Sequence, residues 1–253
     1  MKMIDLNCDM GEAFGSYLMP NDEKLMDYIS SANIACGFHA GDPAVMQQTV
    51  NLAIKKGVAI GAHPGLPDLQ GFGRREMKIS PNEAYQLTLY QIGALSAFVK
   101  AAGSKLHHVK AHGALYNMAA KDAPLAKAII QAVSDFDPGL ILYALAGSKM
   151  IEEAEKLGIV TASEVFADRS YQDDGLLTPR SAKHALINND DDAVNQVLGF
   201  ALKQEVKSVN GNRIPLRAET ICLHGDGEHA VAFAKLIAGR LKKEGIIIKA
   251  PAI

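Results

Sequence analysis

No segment of the chain holds the roughly 18 consecutive apolar residues that a membrane-spanning helix needs. The N-terminus, MKMIDLNCDMGE, turns acidic before a signal-peptide core can form, so the expected location is the cytoplasm. Cysteine is scarce. Cys8, Cys36 and Cys222 show no zinc-type spacing, and an odd number argues against a disulfide framework, which leaves reduced thiols. Neither sign of charge prevails: 26 Lys and Arg against 28 Asp and Glu give a net charge of −2, with no electrostatic footprint for nucleic acid. Tryptophan is absent, which excludes nothing. There is no G-x-x-x-x-G-K-[ST] and no G-x-G-x-x-G between a strand and a helix, so no phosphate loop is readable. H-x-H on the first strand and H-E-x-x-H on a helix are missing too. The metal question stays open, because Asp9, His39, His63 and His224 are dispersed as barrel ligands are.

What is present describes a globular α/β protein. Hydrophobic residues make up 48% of the 253 positions, enough for a sizeable core. Length alone allows one large domain or two small ones. No linker, repeat or composition shift divides the chain, so a single domain over 1–253 is expected.

The stretch at 61–76, GAHPGLPDLQGFGRRE, carries the densest signal. It follows a short apolar run at 57–60 and is too long and too functionalised for a simple connection. Its glycines allow a close backbone approach to a ligand, while His63 and the pair Arg74 and Arg75 offer acid/base and anion-binding groups. Similar loops recur. At 3–9 the residues alternate, placing Asp5, Asn7 and Asp9 on one face, either lining a wet cavity or facing water from an edge strand. A helix is expected over 22–30, then a short strand at 31–35 ending in CGFHAGDP, where Asp42-Pro43 reads as a helix start. His39, between strand end and helix start, fits either a ligand site or the core.

Ser80-Pro81-Asn82-Glu83 has the cap, proline and glutamate of a helix start, and that helix is expected to reach 102. In 107–113, HHVKAHG, strand alternation puts His108, Lys110 and His112 on one face. A buried lysine there needs an anion or carboxylate, so Lys110 and His112 are functional candidates, while His108 suits a structural role. Helices at 123–134, 148–157, 189–204 and 228–244 alternate with strands near 140, 159 and 220. Glu164, Phe166 and Asp168 share a face near one strand end, followed by Arg169, and His224 and Asp226 end another. Asn210-Gly211 signals a small hairpin, and 246–249 suits an eighth strand or a packing arm.

Strands starting near 3, 31, 58, 107, 140, 159 and 220 alternate with helices, which predicts a parallel sheet. Polar groups gather after strand ends all around the chain rather than at one switch point. That is the pattern of an irregular (β/α) barrel, here of seven strands.

Six blocks, DLNCDMGEAFG (5–15), SANIACGFHAGDP (31–43), GAHPGLPDLQGFGRR (61–75), VKAHGALYN (109–117), EVFADRSYQDDGLLTPR (164–180) and CLHGDG (222–227), closely resemble the LamB/YcsF family over essentially the whole chain. The resemblance implies a barrel of the glycoside hydrolase/deacetylase type. It also implies one subunit of an ATP-dependent 5-oxoprolinase, working with two allophanate hydrolase-like partner subunits. The implied reaction takes 5-oxoproline, ATP (with Mg2+) and water to glutamate, ADP and phosphate.

On that basis Asp9, His39, His63, Lys110, His112, Glu164, Asp168, His224 and Asp226 are the expected catalytic residues, and Asn7, Glu12, Asn33, Arg74, Arg75 and Arg169 the substrate-binding ones. Within these, Asp9 or Glu164 would serve the attacking water, and His63 or His224 the leaving nitrogen. Lys110, His112 and Arg169 would hold phosphate or oxyanion, and Arg74 or Arg75 the substrate carboxylate. The missing phosphate loop points to nucleotide held mainly by the partners. A stand-alone metal-dependent amide hydrolase and a non-enzymatic accessory protein are the rival readings.

Overall fold

The alternation at the N-terminus becomes the central strand of the molecule. In the computed structural model, which describes residues 2–179, 182–223, 225 and 229–252, β1 (Met3–Met10) turns Ile4, Leu6, Cys8 and Met10 into the apolar core. Asp5, Asn7 and Asp9 face the other way. After α1 (Asp22–Leu25), β2 (Ser31–Ala35) and α2 (Pro43–Lys56) follow, then β3 (Ala59–His63), α3 (Pro81–Ala101), β4 (His108–Lys110), α4 (Gly113–Ala119) and α5 (Ala123–Phe136). The chain continues through β5 (Ile141–Leu145), α6 (Lys149–Lys156), β6 (Thr161–Phe166) and α7 (Asp190–Lys203). A hairpin of β7 (Glu205–Lys207) and β8 (Arg213–Pro215) precedes β9 (Thr220–Leu223), α8 (Ala230–Lys243) and β10 (Ile247–Ile248).

Strands β1 to β6 and β9 pair in parallel in that order, and β9 pairs back onto β1 (Asn7 opposite Cys222), closing a seven-stranded barrel. β10 adds a two-residue pairing to the start of β1. The expected barrel and hairpin are present, and of the two readings of 246–249 the strand is the one observed. Among the described residues no helix is long and apolar enough to cross a membrane.

Side-chain caps fix the starts of α2, α3, α5 and α7. The Asp42 side chain accepts from the amides of Ala44 and Val45, with Pro43 at the first helical position, and Ser80 and Glu83 form a reciprocal capping box. Two elements depart from expectation. α1 stops after four residues because the Ser30 amide is drawn to the Leu6 carbonyl of β1 and its hydroxyl to Asp5, so the chain turns into β2 instead of continuing helical. α4, which the sequence pattern did not announce, starts directly after His112.

The inner face of β1 neither lines a wet cavity at its start nor faces solvent. The barrel interior is a packed polar column, as barrel interiors are layered with side chains. At the bottom, Asp5 accepts hydrogen bonds from the hydroxyls of Ser30, Ser31 and Thr220 at 2.6–2.8 Å. Burial pushes its carboxyl up while those hydroxyls oppose the shift. One layer higher, the Asn33 amide donates to Asn7 Oδ1 (2.8 Å), and His108 Nε2 donates to Asn33 Oδ1 (2.8 Å). The His108 ring stacks on Tyr143, 4.1 Å between centroids. Asp5, Asn7, Asn33 and His108 are all buried. Their task is to hold the layer above.

Candidate active site

Lys110, at the end of β4, occupies the top of this column. Its ammonium lies 3.0 Å from Asp9 Oδ1 on β1 and 2.8 Å from Glu164 Oε1 on β6, with Asn7 Oδ1 and Cys222 Sγ each at 3.2 Å. Burial disfavours the charged lysine, but the surrounding carboxylates overcome it and raise its pKa well above the usual range. Burial likewise works against ionised Asp9, yet the charges of His63 and Lys110 outweigh it and hold this carboxyl well below its usual range. Tyr116, on α4, donates its hydroxyl to Glu164 Oε2 at 2.6 Å. The triad is thus cross-tied from three strands and a helix.

Above it sits a cluster of imidazoles. His63, at the end of β3, places Nδ1 2.7 Å from the Lys110 carbonyl, and its Nε2 lies 3.2 Å from Asp9 Oδ2 and 2.9 Å from His112 Nδ1. His112 places Nε2 2.8 Å from the Phe72 carbonyl. His39 lies parallel to His112 at 3.7 Å and places Nε2 3.1 Å from Glu12 Oε1, which is 3.5 Å from His112 Nδ1. Burial, reinforced by the other histidines, drives the His39 pKa well down and that of His112 down to about 3. Burial and the neighbouring Asp9 push Glu12 well above the ordinary carboxylate value. Donor atoms of Glu12, His39, His63 and His112 all lie within 4.8 Å of one another, so this end of the barrel could hold a metal ion.

The triad and the imidazoles open on a cavity of about 130 Å3. Asp9, Glu12, His63, Lys110 and His112 line it, Arg74 and Arg169 border it, and Tyr116, Asn117 and Phe166 complete the wall. Arg169 is buried, and its Nη2 donates to the Thr178 carbonyl at 2.7 Å, tying the wall to the loop that follows β6.

The expected site residues therefore separate into layers. Asp9, Glu12, His63, Lys110, His112, Arg74 and Arg169 reach the cavity; His39 stands one layer behind, against Glu12 and His112. Glu164 is fully buried beneath Lys110 and Tyr116. Asn7 and Asn33 are buried in the column and reach Lys110 and Asp9 from below, so they do not border the cavity as substrate-binding residues would. Arg75 turns outward and pairs with Asp68, holding its carboxyl down to about 2, and is absent from the cavity wall. The reason is local: Asp68 also accepts from the amides of Gly71 and Arg75, so it staples its own loop and captures the Arg75 side chain. Asp168 follows the end of β6 and does not line the cavity either. His224 and Asp226 lie outside the described residues. Tyr116 was not anticipated. Its signal was present, four residues after His112 and hence on the same helical face once α4 is known to start there.

A sequence model of the LamB/YcsF family matches residues 4–252. The chain is 60% identical over 250 residues to the A subunit of 5-oxoprolinase from Geobacillus thermodenitrificans (strain NG80-2), covering 99% of this chain and 97% of that protein. Its structure is similar to that of a lactam utilization protein from Thermus thermophilus, with a TM-score of 0.94 and 45% identity over 98% of this chain and 100% of the other. A family 4 carbohydrate esterase from Streptomyces lividans shares the fold at a TM-score of 0.51 and 12% identity, over 99% and 93% of the two chains. With the match running through every strand of the barrel and every block that builds its mouth, the chain belongs to the LamB/YcsF family.

Proposed function

We propose that this protein is the A subunit of an ATP-dependent 5-oxoprolinase, a single catalytic domain that opens the lactam ring of 5-oxoproline to give L-glutamate. The observation that carries the reading is the Asp9–Lys110–Glu164 triad at the floor of a small polar cavity, in a chain so similar throughout to a protein named for this activity. About 130 Å3 is below the roughly 300–1,000 Å3 of sites for drug-sized ligands. It suits a compact cyclic acid and not a nucleotide. ATP, with Mg2+, is accordingly bound mainly by two further subunits, and the product of its use, an activated lactam oxygen, is handled here.

The chemistry follows from the charges. An amide is inert to water at neutral pH until its oxygen is activated. Lys110 and Arg169 face the negative charge that develops on that oxygen or its phosphate. Asp9, kept ionised beside Lys110, takes the proton of the attacking water. His63 serves as acid for the departing nitrogen only while its Nε2 is free to carry a proton. His112 has both nitrogens engaged, with Phe72 and His63, and positions rather than binds. Arg74, stacked over Phe72 at 4.9 Å and bordering the cavity, holds the ring carboxylate.

Glutamate release from 5-oxoproline tests this, using the protein alone, with ATP, and with both candidate partner subunits. Release only in the complete mixture is the expected result. Turnover without ATP or partners would instead establish the independent amide hydrolase, and full output from variants of the triad would establish an accessory role. In the complete mixture Arg74→Ala raises the KM for 5-oxoproline about tenfold or more, the size of one lost hydrogen bond to a charged group. Arg75→Ala leaves KM unchanged. Equal effects of the two substitutions would remove Arg74 from its assigned role.

A further inference from the structure

The imidazole cluster gathers more acceptor atoms than two neutral rings have hydrogens to fill. A carbonyl oxygen only accepts, so His63 Nδ1 must carry a hydrogen for Lys110 O, and His112 Nε2 one for Phe72 O. Each neutral imidazole has one N–H. With both rings neutral, His63 Nε2 and His112 Nδ1 present lone pairs to each other at 2.9 Å, with Glu12 Oε1 3.5 Å from His112 Nδ1 and Asp9 Oδ2 3.2 Å from His63 Nε2. The four atoms follow one another in a chain of contacts of 3.5, 2.9 and 3.2 Å, from Glu12 through His112 and His63 to Asp9. A proton would join two of them; a metal ion joins all four.

We propose that His63 Nε2, His112 Nδ1, Glu12 Oε1 and Asp9 Oδ2 hold a divalent first-row transition ion of the Zn2+ class. The spacings suit one. Ligands at about 2.0–2.1 Å around a tetrahedral ion stand roughly 3.3–3.5 Å apart, and imidazole rings on such an ion have centroids roughly 5 Å apart. Three of the six edges are 2.9, 3.2 and 3.5 Å, the donor atoms of Glu12, His63 and His112 all lie within 4.8 Å of one another, and the His63 and His112 centroids are 4.8 Å apart at 87°.

His39, stacked on His112 at 3.7 Å, is too close to that ring to share the ion with it, and instead meets the ligand Glu12 through Nε2. Every ligand then has an outer partner of the kind that orients metal ligands: Lys110 O for His63, Phe72 O for His112, His39 for Glu12, and Lys110 Nζ with Asn33 Nδ2 for Asp9.

The cradle is built for close approach. A Cβ at Gly73 would lie 2.7 Å from His39 Cβ and 2.8 Å from His112 Cδ2, and its φ of +63° also favours glycine. The two nitrogen donors select against the Mg2+ that accompanies ATP, because Mg2+ prefers oxygen ligands. This site does not rest on the assigned reaction. If both hold, the ion occupies His63 Nε2 and Asp9 Oδ2, so the acid role leaves His63 and the base role leaves Asp9.

The test is metal content and binding, with no activity readout needed. Protein expressed with zinc in the medium is dialysed and its metal measured by plasma mass spectrometry; chelator-stripped protein is titrated with Co2+ and with Zn2+. The expected result is one ion per chain, a visible Co2+ absorption band displaced by Zn2+, and a higher melting temperature with Zn2+ but not with Mg2+. Glu12→Gln keeps the side-chain shape, and circular dichroism checks its fold. It should weaken Zn2+ binding at least about tenfold. Zinc-free protein that neither binds Co2+ nor shifts its melting with Zn2+ would overturn the proposal and leave a shared proton between His63 and His112. Unchanged affinity in a folded Glu12→Gln/His63→Asn double variant would overturn it as well, by placing the ion elsewhere.

Discussion

Lys110→Met is expected to lower kcat of the complete 5-oxoprolinase mixture by about 100- to 1,000-fold or more, the usual cost of removing a positioned charge from a developing oxyanion. The same change should destabilise the isolated chain by roughly 3–5 kcal/mol, because it leaves the fully buried Glu164 without its cationic partner and Asp9 with His63 alone. The two losses have different causes and can be separated. In Lys110→Met/Glu164→Gln the uncompensated buried charge is relieved, so denaturant unfolding should recover part of the stability, while glutamate release stays lost. Near-wild-type turnover in the single variant would dismiss Lys110 from the chemistry. Failure of the double variant to regain any stability would mean that packing, rather than charge, sets the cost.

Gly61→Ala should rank among the most destabilising single-methyl additions in the molecule, on the order of 3 kcal/mol. Gly61 lies on β3, its residue register opposite Asn33 on β2 and His108 on β4, and a Cβ built there overlaps three atoms of the His108 ring. The ring cannot swing away cheaply, since it is stacked on Tyr143 and bonded to Asn33 inside a closed barrel. Moving it would leave buried polar atoms unpaired. A double-mutant cycle with His108→Ala checks the cause: the pair should be less destabilised than the sum of the singles, by about 0.5–3 kcal/mol. Strict additivity would show that the two positions do not collide. Because Asn33 also supports Asp9, a fall in activity is expected beside the loss of stability.

Much of this was readable before any coordinates. The period-two alternation of 3–9, the Asp42-Pro43 and Ser80–Glu83 helix starts, and the strand–helix succession announced a parallel barrel, because those signals are short-range and each is set by a few neighbouring residues. The heavy recurrence of His, Lys and acidic side chains after strand ends located the mouth. Local pattern failed where a distant atom decided. α1 yields to a bond with Leu6, and Arg75 is captured by Asp68 while Arg74 goes to the cavity, although the two arginines are adjacent.

By itself the sequence determined the strands and most of the helices, and which ionisable groups stand at strand ends. Only the tertiary structure decided which groups are partners. Lys110 meets Asp9 from 101 positions away, and the imidazole cluster draws Glu12 from the loop after β1 to histidines that follow β2, end β3 and follow β4. Those meetings depend on the register in which β9 closes onto β1 and on how deeply each side chain sits in the column. A charge's pKa and its chemistry follow from its burial and its nearest opposite charge, and both are properties of the closed barrel rather than of any local stretch of chain.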